Sequence, residues 1–142
     1  MATYVKMETA VEKLCNKLID AFGTTDTWKV VIHTDAPVVA TDSVVGDWTQ
    51  ISGNNGYTTG GENLTFNSTR SGGTVTATAS DIIWTASGGN LGSSTTGRYF
   101  GQYDDSATSD DVWCDHDYGA PFTVATGETM TYDVGANIWT FS

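Results

Sequence analysis

The chain has 142 residues, enough for one domain that buries very roughly two thirds of the surface its unfolded form exposes, so neither a disulfide nor a metal is needed to hold it together. Six Lys and Arg against 17 Asp and Glu give a formal charge of −11. Through Lys29 the bases Lys6, Lys13, Lys17 and Lys29 balance Glu8, Glu12, Asp20 and Asp26, so the whole acidic excess belongs to residues 30–142. A body so poor in cations gains no counterion-release energy from nucleic acid and repels phosphate, which argues against nucleic acid and anionic membrane as partners.

Residues 1–8 show no basic segment followed by an apolar one, and no apolar run approaches the ~18 residues of a membrane span. The expectation is a soluble product made in a cytoplasm. Val11, Leu14, Cys15, Leu18, Ile19 and Phe22 recur on one stripe of an amphipathic helix, Glu12, Lys13, Asn16, Lys17 and Asp20 occupy the opposite face, and Gly23 suits its end. A helix of roughly 15–18 residues is marginal alone. It must dock, by expectation on its own β-body, with a neighbouring subunit as the alternative. Residues 1–23 are thus read as helix and arm, and 24–142 as a β-sandwich within the same single domain.

From Trp28 the period drops to two. Residues 28–33 read as a strand broken by Asp35-Ala36-Pro37, residues 38–51 as a longer crossing with a weak strand near Trp48, and residues 53–61 as loop. Further strands are expected at 64–68, 74–79, 81–86, 98–103, 112–118, 122–124, 130–134 and 138–141. Short strands at roughly ten-residue spacing define the expected class: mainly β, an antiparallel, jelly-roll-like β-sandwich with one N-terminal amphipathic α-helix. Trp84, Tyr99, Phe100, Trp113, Trp139 and Phe141 are read as core anchors. Trp48 and Tyr57 lie in loop-rich sequence and are expected to be half exposed, free to touch a partner.

Few groups suggest chemistry. Cys15 and Cys114 could form one disulfide, but without an export signal two buried free thiols are expected. Cys114-Asp115-His116-Asp117 resembles a metal cluster in composition, yet strand alternation sends Cys114 and His116 to one face and both Asp to the other, so four zinc ligands do not converge. Residues 104–111 read as a hairpin tip whose Asp residues could supply part of a calcium shell, although the spacing is not that of an EF-hand loop. No Gly-x-Ser-x-Gly elbow occurs. The acids cluster in turns, where burial cannot separate their pKa values. The expectation is no enzyme activity, no catalytic residues and no cofactor.

Several segments together resemble small virion proteins of tailed bacteriophages. They are Thr27-Trp28-Lys29-Val30-Val31-Ile32-His33-Thr34, Asn54-Asn55-Gly56-Tyr57-Thr58-Thr59-Gly60-Gly61 and Ile83-Trp84-Thr85-Ala86-Ser87-Gly88-Gly89, followed by residues 98–110 and 127–134. The resemblance spans residues 27–142, and the order of the blocks is its stronger signal. It implies a structural role as a head decoration or cement protein, bound to the major capsid protein on the outer capsid surface. The alternative is a tail- or fibre-associated receptor-binding module that stacks host sugars on Trp48 and Tyr57. The segments expected to touch the partner are Met1, Ala2, Thr3 and Tyr4 of the arm, together with Trp48, Asn54, Asn55 and Tyr57. Edge strands unblocked by Lys or Pro favour a homo-oligomer, dimer or trimer.

Overall fold

The computed structural model describes residues 3–10, 26–93, 96–134 and 139–141. Among these residues there are ten strands: β1 (Thr3–Lys6), β2 (Trp28–His33), β3 (Glu62–Leu64), β4 (Phe66–Ser71), β5 (Thr74–Ala79), β6 (Ile82–Thr85), β7 (Gly97–Asp104), β8 (Asp111–Phe122), β9 (Thr129–Tyr132) and β10 (Trp139–Phe141). They form a five-stranded sheet in the order β1-β8-β7-β2-β3, a three-stranded sheet β10-β5-β4 and a two-stranded ribbon β6-β9. All these pairings are antiparallel. The chain is therefore mainly β, as the period-two pattern predicts, with the antiparallel sheets of a sandwich. Chain-distant partners such as β1 with β8 and β2 with β7 close the large sheet.

Alternation along β2 builds two different faces. Trp28, Val30 and Ile32 point one way, and Lys29, Val31 and His33 the other. The first face meets the smaller sheets. Trp28 packs edge-on against Phe66 of β4 at 5.5 Å and Trp113 of β8 at 6.0 Å, while Phe100 of β7 stacks on Trp84 of β6 at 6.0 Å and lies 5.2 Å from Tyr132 of β9. Val30, Ile32 and Phe100 are buried here, each contributing about 1.5–3 kcal/mol relative to exposure. The second face of the large sheet is roofed by the segment of residues 34–61, which returns to pair His33 with Gln50.

Several boundaries differ from expectation for identifiable reasons. Residues 3–6, read as arm and helix start, are the edge strand β1, with Thr3 opposite Asp117 and Tyr4 opposite His116. The strands expected at 112–118 and 122–124 are one twelve-residue strand, because Pro121 sits at its exposed end, where no ladder bond is required of it. The weak strand near Trp48 is instead a 3-10 turn at Val45–Asp47. Residues 8–10 begin a helical turn in which Ala10 is fully buried, and Glu8 N donates to Val39 O at 3.3 Å. This turn docks on the chain's own body. The stripe from Val11 to Phe22, Gly23 and Cys15 lie outside the described residues, while Cys114 is a buried thiol outside any disulfide. No helix among the described residues is long and apolar enough to cross a membrane.

Candidate functional site

The densest polar cluster lies under the roof of residues 34–61. His33, the last residue of β2, hydrogen-bonds through Nε2 to Asp115 Oδ2 of β8; the two side chains are 0% and 1% exposed. Its ring is sandwiched between Trp48, parallel within 4° at 4.7 Å, and Tyr99 at 5.3 Å. Burial pushes the Asp115 carboxyl upward, against the opposing pull of the His33 hydrogen bond. Asp35 Oδ1 stands 3.7 Å from the other ring nitrogen and accepts a hydrogen bond from Thr49 N at 2.7 Å.

Trp48 closes this cluster as a lid. Its Nε1–H donates to Asp42 Oδ2 at 3.0 Å, and the same oxygen accepts from Val38 N at 2.8 Å, so one carboxylate anchors both ends of the crossing. The indole lies flat on Gly101 of β7, where any Cβ would stand 2.1 Å from Trp48 Cζ3. Only glycine permits this contact. Tyr57 braces the same roof from its other end, since its hydroxyl accepts from Ile32 N at 3.1 Å and donates to Gln50 Oε1 at 3.0 Å. Burial pushes its pKa up to about 12.

The expectation of half-exposed Trp48 and Tyr57 is therefore corrected: they are 4% and 2% exposed. A loop laid across a sheet face buries its aromatics as a strand does. Asn54 and Asn55 are also engaged. Asn54 O accepts from Tyr57 N and Gly92 N, each at 3.0 Å. Asn55, at φ 51, donates through Nδ2 to Asn90 O at 3.0 Å and Ser93 Oγ at 3.2 Å. These contacts tie the 53–61 loop to the 87–93 loop. Thr3 and Tyr4 belong to β1 and not to a free arm, while Met1 and Ala2 lie outside the described residues.

The Cys-Asp-His-Asp run divides as alternation predicts. Asp115 faces His33, whereas His116 hydrogen-bonds through Nδ1 to the Tyr132 hydroxyl, which accepts from Gln102 Nε2 at 2.7 Å. Burial drives His116 down to about 4, so its ring is neutral at ordinary pH. Asp117 takes a bidentate pair from Arg98 at 2.8 and 2.7 Å and is held at about 2, first by that hydrogen bond. Residues 105–110 form the expected hairpin tip between β7 and β8, but its carboxylates diverge. Asp104 turns inward to Ser106 N at 2.9 Å, while Asp105 meets Lys29 at 2.8 Å. Among the described residues, no group of three or more His, Cys, Asp or Glu could hold a metal ion.

His33 is fully buried between the rings of Trp48 and Tyr99. The cluster is a clasp that holds the roof on the sheet. Sequence reasoning missed it because His33 and Asp115 are 82 residues apart. Two signals were present: His33 continues the inward alternation of Val31, and Asp115 follows directly on the apolar residues 112–114 of β8. No family model, curated protein or solved structure matches this chain.

Proposed function

We propose that this chain is a structural protein of a tailed-phage particle, a decoration or cement protein that binds the major capsid protein on the outer head surface. The observation that carries the reading is how the charge is used. Lys29 is neutralised by Asp105 and Arg98 by Asp117, leaving an acidic exterior on a chain of net charge −11. Such a body stays soluble before assembly and is repelled by packaged DNA, properties a capsid exterior requires. The resemblance across residues 27–142 supports the same role.

The polar clusters fit a structural part. His33, Asp42, Asp115, His116 and Tyr132 bond to other parts of the fold, and the result is a braced body able to sit unchanged on a lattice. Modest single contacts suffice there, since many equivalent sites raise apparent affinity. The sugar-binding alternative loses its stacking platforms, because Trp48 and Tyr57 are buried. Purified chain added to heads lacking it should bind saturably at a fixed number of copies per capsomer and raise the temperature at which the heads break. Binding to isolated tails and not to heads would overturn the capsid assignment.

A further inference from the structure

We infer that Asn55 is a latent deamidation site: the hydrogen bonds of its side-chain amide to the 87–93 loop hold off attack by Gly56 N, and conversion of Asn55 to aspartate or isoaspartate, once that junction opens, keeps it open.

Asn55 is the only Asn in the sequence followed by Gly. That pair suits a tight turn with two positive φ values. Asn55 is at φ 51 and Gly56 at φ 97, and Tyr57 N donates to Asn54 O at 3.0 Å to close a turn of the type I′ form. The same pair suits a reaction, because no side chain on Gly56 shields its main-chain nitrogen. Gly56 N attacks Asn55 Cγ. The new N–C bond forms as the Cγ–Nδ2 bond breaks, the Gly56 N–H proton leaves with Nδ2 as ammonia, and a succinimide ring remains. Water then adds to one of the two ring carbonyls, giving aspartate or, where the main chain now runs through Cγ, isoaspartate.

The fold opposes the first step. Asn55 Nδ2 donates to Asn90 O at 3.0 Å and Ser93 Oγ at 3.2 Å, and the carbonyl acceptor fixes which side-chain atom is the nitrogen. A succinimide has no Nδ2, so both bonds are lost before the ring is complete. The main chain is held as well. Asn54 O accepts from Gly92 N and Asn55 O from Ser87 N, each at 3.0 Å, and a Cβ on Gly56 would stand 2.0 Å from Thr85 O, so the turn is pressed against β6. Reaction therefore waits for the 53–61 and 87–93 loops to part.

The products cannot restore the junction. A carboxylate at residue 55 donates nothing and sets oxygen against Asn90 O, while isoaspartate lengthens the main chain inside a turn that has no slack. The inference stands on the chemistry and geometry of this junction, independently of the capsid assignment.

Peptide mass spectrometry with fragmentation, on the full chain held at mildly alkaline pH with and without denaturing guanidinium chloride, tests it. Residue 55 should convert in denaturant and at least about tenfold more slowly in the folded chain. Ser93→Gly removes one acceptor without strain at φ 48; it should speed conversion in the folded chain by about threefold or more and leave the rate in denaturant unchanged. Circular dichroism confirms that this variant folds. Asn55→Asp, which reproduces one product, should melt below wild type. No conversion in denaturant, equal rates in the folded and unfolded chains, a folded Ser93→Gly chain no faster than wild type, or an Asn55→Asp chain that melts with wild type would overturn the inference.

Discussion

The roof of residues 34–61 and the β4–β5 hairpin both cover sheet surface, yet they use polar residues in opposite ways. Under the roof, Asp42, Asp115 and His33 are buried and bonded, and Trp48 covers His33 and bonds Asp42. On the hairpin, the outward residues Asn67, Thr69 and Ser71 are exposed and uncharged. Polar atoms that are buried and paired fix a conformation, whereas neutral polar atoms left in water keep a surface available. The roof holds its polar groups inside the fold, and the hairpin leaves its outward ones in water.

Substitutions should separate the two regions sharply. The largest effect is expected from Trp48→Ala, which removes the lid from Gly101 and His33 and should cost about 3–5 kcal/mol in urea unfolding. Asp115→Ala leaves His33 without its buried partner and should cost about 3 kcal/mol. Thr69→Lys on the hairpin should change stability by less than about 0.5 kcal/mol. If Trp48→Ala proved as mild as Thr69→Lys, the contrast between roof and hairpin would be false.

Acid titration sharpens the comparison further. His116 has its folded pKa depressed to about 4 from an ordinary value near 6.5. The unfolded chain therefore takes up a proton that the native state refuses. The stabilisation is complete above about pH 6.5 and is lost as the pH falls toward 4, by up to about 3 kcal/mol. Asp115, raised by burial, contributes a slope of opposite sign. For that reason the informative quantity is the difference between wild type and His116→Gln, whose Tm should fall less steeply from about pH 7 to about pH 4. Equal slopes would contradict the burial of a neutral His116. A smaller effect is expected from Asp117→Asn: its carboxylate is held at about 2, so its contribution is present above the usual carboxylate pKa and disappears as the pH drops toward 2. Solvent reaches this pair, which limits the loss to below about 1 kcal/mol at neutral pH.

Local pattern carried the strands and failed at the roof. The segments 28–33 and 74–79 match β2 and β5 residue for residue, because β-branched residues between turn signals identify a strand without tertiary information. β1 was obscured by the helical stripe that follows it. Its edge position becomes visible only when β8, more than a hundred residues later, supplies Asp117 and His116 as partners. The environment of Trp48 depends on Gly101 being bare, and that of His33 on Asp115 across the sheet. No window of sequence contains both members of either pair. The acidic tip was legible as a turn. Its lack of metal geometry among the described residues was not, since composition cannot say that Asp104 turns inward while Asp105 turns out to Lys29.

The copy number of this chain in purified particles tests the central claim most directly. A protein that decorates the head should be present in hundreds of copies, in a fixed ratio to the major capsid protein, and should be removable from the outside without loss of DNA. A count of a few copies confined to the tail, or complete absence from the particle, would contradict the account.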